Sequence, residues 1–313
     1  MKLGEKSGLT VGIAAVFVWA VGFIFIRGLT ETLGVMTAGA LPNILGGTAV
    51  LIFKAKTTGI RIKDFRETPR AYWPLCGLMF LAFSITVNVS VGIATTNEQV
   101  VTSGLFRLVW PLLALIMTIP LYKRRVNRWF IFSVSLSFIG LILGNVSDGF
   151  TPRMLIQSFG DIWIPSLVAL FSSVCWAFYS NFLGKYVTEP RFDHLGWFML
   201  ASGLIQGAAA VILGETPVFG TEQVLQILFI GLVTGFLANT LWVFAMQSKY
   251  NHAIILIANF TPLISTVAVA LGLGVPVTLP LVIGSALIAV GTIWSKYCFL
   301  PGKEESALNK QDE

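Results

Sequence analysis

The chain has 313 residues, of which 55% are hydrophobic and 12% are charged, and it carries a formal net charge of +6. Its mean hydropathy of +0.81 is typical of integral membrane proteins and excludes an ordinary soluble enzyme of two domains. The positive charge could indicate a nucleic-acid partner, so the positions of the cations have to be considered together with the apolar segments.

Apolar runs of roughly 18 to 25 residues recur along the chain, and each is long enough to cross a hydrocarbon layer of about 30 Å as a helix. We predict ten such spans, numbered in chain order, with short polar connections between most of them. They cover residues 9–27, 35–53, 72–94, 97–122, 129–144, 162–185, 194–213, 223–247, 253–273 and 277–298.

The cations are distributed unequally between the two ends of the predicted helices. Of the 21 Lys and Arg residues, all except Arg27, Arg107 and Arg153 lie in or beside the connections on the side of the N-terminus. This positive-inside pattern predicts that both termini are cytoplasmic, and it explains the net charge without nucleic acid. Lys2 and Lys6 would also fit a signal peptide, but no small-residue cleavage site follows, so span one is predicted to be retained.

Short matches in the same order connect the first five spans with the last five. They are Trp19-Ala20 with Trp176-Ala177, Pro111-Leu112 with Pro262-Leu263, and Gly140 with Gly291. The matches predict a duplicated five-helix unit, with residues 1–146 as the first repeat, 147–300 as the second and 301–313 as a cytoplasmic tail. Because a duplicated unit with an odd number of helices enters from opposite sides of the membrane, the repeats are predicted to be inverted.

Span four contains both an arginine and a proline. Because proline has no N–H, Pro111 leaves the carbonyl of Arg107 without its helical partner. An arginine near a helix centre costs about 2.5 to 3.5 kcal/mol, and the nearest acid on the same helix, Glu98, is about 13 Å away along the axis. Pro262 holds the equivalent place in span nine, and two proline-interrupted helices at matching positions are typical of a transporter's substrate site. We expect Arg107 either to bind an anionic substrate group or to bond the carbonyls around the Pro111 kink.

Other polar and aromatic side chains at helical spacing are candidates for substrate binding, although each could also be an ordinary packing residue. They are Trp19, Asn88, Trp110, Trp176, Tyr179, Asn239, Trp242 and Asn259. Pro42, Pro111 and Pro262 are candidate hinges or static kinks. His194 and His252 are predicted at helix ends on the cytoplasmic side, where we expect them to be solvated.

No cofactor or metal site is predicted. The three cysteines lie in or beside apolar segments and have no CxxC spacing. An intramembrane enzyme is not supported, since the chain lacks HExxH, Gly-x-Ser-x-Gly and a pair of aspartates within the spans. Because no Asp or Glu lies deep in any predicted span, proton antiport through a buried carboxylate is not expected.

Several short motifs stand in a characteristic order. They are Trp19-Ala20 and Arg27-Gly28 around span one, Gly104 through Trp110-Pro111 in span four, Trp176-Ala177 in span six, and Phe260-Thr261-Pro262 in span nine. With these motifs the chain resembles the drug/metabolite transporter superfamily in its ten-helix EamA-type form, and looks most like the bacterial aromatic amino-acid exporters. The resemblance implies ten transmembrane helices in two inverted five-helix repeats around a central cavity. Arg107 departs from those exporters, whose pattern has a neutral polar residue there.

These features together predict a carrier in the cell inner membrane that moves a small polar metabolite by alternating access. An amino acid or related carboxylate is the expected substrate, and export is the direction that the resemblance implies. The partners are therefore a small-molecule substrate and the lipid bilayer. A carrier of phosphorylated solutes from the same superfamily is an alternative, since Arg107 could also bind phosphate. A membrane scaffold or sensor that transports nothing is the alternative from another class.

Overall fold

The computed structural model describes residues 5–57, 59, 62–144, 152–186, 193–246 and 261–300, and nearly all of these residues are helical. In chain order the α-helices are α1 Glu5–Leu33, α2 Val35–Thr57, α3 Ile62–Glu67, α4 Met79–Gly92, α5 Asn97–Arg107, α6 Trp110–Leu121, α7 Trp129–Leu143, α8 Pro152–Tyr186, α9 Leu195–Ile212, α10 Thr221–Leu228, α11 Asn239–Met246, α12 Thr261–Gly272 and α13 Leu279–Tyr297. Two π-helical segments, Trp73–Leu78 and Phe229–Ala238, lead directly into α4 and α11.

Each of the ten predicted spans coincides with apolar helix in the described part of the chain. Eight helical spans there are long and apolar enough to cross a membrane, and two shorter apolar helices, Trp129–Leu143 and Leu263–Gly272, correspond to spans five and nine. The prediction of an all-α integral membrane fold is therefore confirmed. The first part of span nine, the predicted boundary between residues 146 and 147, and the tail 301–313 lie outside the described residues.

The helices pack in a pattern that repeats between the two halves of the chain. α2 packs along α9, and α7 packs along α13. α1 packs against α11 and α12, while α8 packs against α4 and the two helices of span four, α5 and α6. Exchanging each of the first five spans with its counterpart five spans later maps these contacts onto one another. The packing is thus that of two five-helix repeats, in which α1 and α8 each contact the other repeat.

Small residues form the contacts between equivalent helices. The four-residue spacing of Gly140 and Gly144 predicts a close approach of helix backbones, and the structure confirms it between α7 and α13. A Cβ on Gly284 would lie 2.4 Å from the backbone nitrogen of Gly144 and 2.5 Å from the carbonyl oxygen of Gly140. Between α2 and α9, a Cβ on Gly203 would lie 2.9 Å from the carbonyl oxygen of Ala40. Larger side chains at these positions would force the two repeats apart.

One end of the bundle, where α2 finishes and α9 begins, contains a buried aromatic cluster around His194. The imidazole ring stacks on Phe65 and Trp73, with ring centroids 4.9 and 4.8 Å away, and the residue is 2% exposed. The prediction of a solvated His194 is therefore wrong, because the short helix α3 packs Phe65 and Thr68 against the ring. The Thr68 hydroxyl lies 2.7 Å from the carbonyl oxygen of Asp64 and 2.8 Å from Nε2 of His194, and so links the imidazole to α3.

Stability is expected to fall as the pH is lowered from about 6.5 to about 4, because burial, with a contribution from Lys54, lowers the pKa of His194 from its ordinary value of 6.5 to about 4. Between these values the unfolded chain binds a proton that the folded chain excludes, so acid favours unfolding. The measurement is thermal unfolding in detergent at several pH values for wild type and His194→Gln. The two proteins are compared by the slope of unfolding temperature against pH, and the difference between the slopes is the contribution of His194. Asp193, whose pKa is raised by burial, contributes to both slopes. Equal slopes in the two proteins would contradict the assignment.

Candidate functional site

The fourth span is divided into two helices at the predicted kink. α5 ends at Arg107 and α6 begins at Trp110. The backbone N–H of Leu108 donates to the carbonyls of Gly104 and Leu105, both 3.1 Å away, and closes the last turn of α5. Pro111 therefore lies in the first turn of α6, where a missing N–H leaves no helical hydrogen bond unmade. The structure thus shows a break of two residues in the helical hydrogen bonding, at the place where the kink was predicted.

The carbonyls released at this break are bound by the first helix of the second repeat. The hydroxyl of Ser173 on α8 donates to the carbonyl oxygen of Phe106 at 2.8 Å and also contacts that of Arg107. Ser173 is fully buried. A side chain of α8 therefore supplies the partner that Pro111 removes, so holding the break open does not require the guanidinium of Arg107.

Ser173→Ala is expected to lower the free energy of unfolding by about 1 kcal/mol, because it leaves two carbonyls at the break without their hydroxyl donor. The neighbouring Ser172 is the matched control, since it is equally buried but donates only to Ala169 of its own helix, at 2.6 Å. Unfolding of both variants in detergent checks the difference. If Ser172→Ala were as destabilising as Ser173→Ala, the hydrogen bond across the break would contribute no more to stability than a bond within one helix.

Beside the break, α4, α5, α8 and α12 enclose a small cleft. Its polar lining residues are Ser90, Ser103, Arg107, Ser265 and Thr266, and the remaining lining residues are apolar or glycine. Arg107 is 7% exposed and Thr266 is 3% exposed. A buried guanidinium and several hydroxyls between apolar walls are groups that suit a carboxylate or another oxyanion.

Three of the predicted aromatic residues come together next to this break. The ring centroids of Trp110 and Trp176 are 6.3 Å apart, and those of Trp176 and Tyr179 are 5.1 Å apart. Phe83 of α4, which was not among the predicted site residues, joins them with its centroid 4.5 Å from that of Trp176. We call these four residues the aromatic group. Because Trp110 is three positions after Arg107, the group adjoins the polar cleft along the chain.

Trp19 and Trp242 form a separate pair, in the spans that are equivalent by the repeat to those of Trp176 and Phe83. Their ring centroids are 5.2 Å apart, and they join α1 to α11. This pair is the counterpart of the Trp176–Phe83 contact, which joins α8 to α4. Among the described residues no ring contact connects the pair to the aromatic group. The structure thus divides the predicted aromatic residues into two sets.

Asn88 does not line the cleft and belongs to a buried polar network between α2, α4 and α9. Its amide donates to the carbonyl of Ser84 at 2.9 Å and to Oε1 of Gln206 at 3.4 Å. Gln206, which is fully buried, donates to the hydroxyls of Ser84 and Ser202 at 3.3 and 3.0 Å. Asn43 completes the network with a 3.0 Å bond to the Ser84 hydroxyl. The spacing of Ser202 and Gln206, one helical turn apart in an apolar span, is the sequence feature that could have predicted it.

The remaining candidates have local partners or lie outside the described part of the chain. The amide of Asn239 donates to the carbonyl of Gly235 at 2.7 Å, at the junction of the π-helical segment and α11. Pro42 is buried inside α2, which continues past it without a break. Within the described residues, Pro262 is the second residue of α12, as Pro111 is the second residue of α6. Asn259 and His252 are outside the described residues.

Arg27 is a buried charged residue at the end of predicted span one, away from the side of the N-terminus. It is 8% exposed and donates to the carbonyls of Val91 and Ala94 at 3.1 and 2.8 Å. An ion pair of 2.7 Å joins it to Glu31 one turn further along α1. A cation that bonds the last carbonyls of α4 complements the negative end of that helix dipole. Arg27 therefore ties α1 to the end of α4.

Comparison with known proteins agrees with this architecture. The model of the EamA-like transporter family matches residues 6–146 and again residues 163–296. Two relatives, each described as aromatic amino acid exporter YddG, come from Salmonella typhimurium and Escherichia coli. Each is 24% identical, over 92% of this chain and 96% of its own length. A solved crystal structure superposes with a TM-score of 0.64 at 20% identity, covering 94% of this chain and 98% of that chain, which supports the fold.

The family match extends over both halves of the chain and includes every helix that forms the cleft and the aromatic group. The two matched stretches also reflect the repeated packing of the helices. A soluble enzyme or a protein with a single pass through the membrane would show neither feature. The chain is a multi-pass membrane transporter and belongs to the EamA-like transporter family.

Proposed function

We propose that this protein exports a small amino acid or related carboxylate across the cell inner membrane by alternating access, with both termini in the cytoplasm. The observation that carries the proposal is the buried Arg107 in a cleft beside the broken helix of span four. The direction and the amino-acid class draw support from the two relatives that are 24% identical to this chain, both of them exporters of aromatic amino acids.

A carboxylate suits this cleft because of the number of charges that line it. Among the described lining residues Arg107 is the one charged group. A single guanidinium neutralises a carboxylate through two parallel hydrogen bonds. A phosphate ester carries up to two negative charges, and this one guanidinium pairs with only one of them. The lining therefore favours a carboxylate over the phosphorylated solute that remains the alternative.

The aromatic group offers a surface for the rest of the solute. Trp110 and Trp176 are partly exposed, whereas Tyr179 is buried at 3% exposure. Their rings can stack on a flat or apolar substituent, which adds to the anchoring of the charged end. This arrangement supports an amino acid with an aromatic or large apolar side chain over a very small organic acid.

Alternating access is supported by the way in which the cleft is built. α4 and α5 come from the first repeat, and α8 and α12 come from the second. A ligand in the cleft therefore contacts both repeats and can stabilise one relative position of the two over another.

We infer that contacts at the end of the bundle where α1, α4 and α12 finish close the cleft on that side. Arg27 binds the end of α4, as described above, and Asn97 at the start of α5 donates to the carbonyl of Leu273 at 3.1 Å. Val91, Val100 and Leu273 pack together in an apolar cluster at the same place. In the proposed cycle these contacts separate when the substrate leaves on the outer side.

Ligand-dependent thermal unfolding of the detergent-purified protein tests the proposal. A panel of aromatic and aliphatic amino acids, their decarboxylated amines, organic acids and a sugar phosphate would be compared. We expect members of one carboxylate class to raise the unfolding temperature in a saturable way, because a ligand that binds only the folded state stabilises it. Stabilisation by the sugar phosphate alone would favour the alternative substrate. No response to any compound would contradict the proposal and favour a scaffold.

A further inference from the structure

Thr266 on α12 and Thr234 in the π-helical segment Phe229–Ala238 are the two described threonines whose buried hydroxyl has no hydrogen-bond partner, and only Thr266 lines the cleft. The hydroxyls of Thr86, Thr240 and Thr292 each donate to a carbonyl one turn earlier in the same helix, at 2.6 to 2.7 Å. Thr266 is 3% exposed, but its hydroxyl oxygen has no hydrogen-bond partner in the part of the chain that the structure describes. A buried hydroxyl without a partner destabilises the folded state unless something else binds it.

The position of Thr266 indicates what could bind it. Thr266 lines the same cleft as Arg107. Ser90 and Ser103 also line the cleft, but their hydroxyls already have partners. They donate within their own helices, to the carbonyls of Val87 and Val100. Ser166 has a buried hydroxyl without a partner, but it is not among the lining residues. Thr266 alone among these residues combines a free buried hydroxyl with a place in the cleft.

The cleft also has open space at one of its lining residues, Gly104. Gly104 lies one turn before Arg107 and lines the cleft, and a Cβ added there would meet no other atom within 4 Å. When a guanidinium donates to both oxygens of a carboxylate, each oxygen still has a lone pair that can accept another hydrogen bond. A hydroxyl on the facing helix can donate to one of these lone pairs.

We propose that Thr266 is a substrate-binding residue, and that its hydroxyl donates to the anionic group that Arg107 holds. This inference rests on the proposed function. Arg107 precedes Pro111 by four residues in span four, and Thr266 follows Pro262 by four residues in span nine, so the anion bridges equivalent helices of the two repeats. The class of ligand is a solute with a single carboxylate group, one oxygen of which is shared between the guanidinium and the hydroxyl.

The proposal predicts opposite effects on folding and on binding. Thr266→Val keeps the shape of the side chain and removes a hydroxyl that has no partner without ligand, so the thermal stability of the empty protein should be unchanged or higher. The same substitution should weaken binding of L-phenylalanine by about tenfold, because a hydrogen bond to a charged group is lost. A residue with a purely structural role would lose stability and leave affinity unchanged.

The experiment measures binding of radiolabelled L-phenylalanine to purified wild type, Thr266→Val, Thr266→Ser and the control Thr292→Val, together with unfolding of each protein without ligand. Thr266→Ser should bind nearly as well as wild type, because it retains the hydroxyl. Thr292→Val should bind normally and be less stable, because Thr292 bonds its own helix. Wild-type affinity in Thr266→Val would overturn this inference alone. Absence of binding in wild type would overturn it together with the proposed aromatic amino-acid substrate.

Discussion

Replacing Arg107 with Gln is expected to abolish saturable transport of the carboxylate in a protein that still folds. We expect kcat/KM to fall by about a hundredfold or more, because truncating one partner of a buried charged pair costs about 2 to 5 kcal/mol. Glutamine is shorter than arginine and keeps an amide donor, but it provides neither the positive charge nor the planar fork. The measurement is uptake of labelled amino acid into proteoliposomes at several concentrations.

Arg107→Lys is the informative companion to this substitution. Lysine keeps the charge but offers a single ammonium point in place of two parallel donors, so we expect activity between those of wild type and Arg107→Gln. Elution as a single symmetrical peak in size-exclusion chromatography controls for folding. The carbonyls at the break are bound by Ser173, so loss of the guanidinium leaves that part of the helix break intact. Unchanged flux and selectivity in Arg107→Gln would show that Arg107 has a structural role only.

The second large effect is expected at the contact between α7 and α13. In Gly284→Ala the new methyl group would lie 2.4 to 2.6 Å from backbone atoms of Gly144 and Gly140. Backbone atoms cannot move aside as the end of a side chain can, so the two helices have to separate. Overpacking of this kind costs about 1 to 3 kcal/mol, and we expect a clear fall in the unfolding temperature in detergent.

Gly207→Ala provides the control for the helix propensity of alanine. The nearest atom to an added Cβ at Gly207 is 3.8 Å away, in Ala40. This is ordinary contact, so alanine there should be neutral or slightly stabilising because it favours the helix. If Gly284→Ala unfolded at the same temperature as Gly207→Ala, the close contact between α7 and α13 would not contribute to stability.

The membrane helices could be predicted from the sequence because each is an almost uninterrupted apolar run, which the bilayer requires of a spanning segment. The break in span four was also predictable in position, since Pro111 lacks an N–H and Arg107 is costly in an apolar helix. The partner of the released carbonyls was not, because Ser173 comes from a distant part of the chain.

Other residues of the site could not be predicted from local sequence. An apolar span contacts lipid and protein with similar residues, so its pattern does not show which polar side chain faces a neighbour. Gln206 and Thr266 are each surrounded by apolar residues, and only the packing distinguishes the bonded amide of Gln206 from the free hydroxyl of Thr266. The burial of His194 depends on α3, a six-residue helix that includes charged residues and does not resemble a core element.

Counterflow in proteoliposomes tests the central claim that a carboxylate is carried through the Arg107 cleft. Vesicles loaded with unlabelled L-phenylalanine would receive labelled L-phenylalanine outside, with either unlabelled L-phenylalanine or phenethylamine as competitor. Phenethylamine has the same ring and amino group but no carboxylate. We predict saturable uptake that the amino acid inhibits and the amine does not. Equal inhibition by the amine, or uptake no greater than in vesicles without protein, would contradict the account.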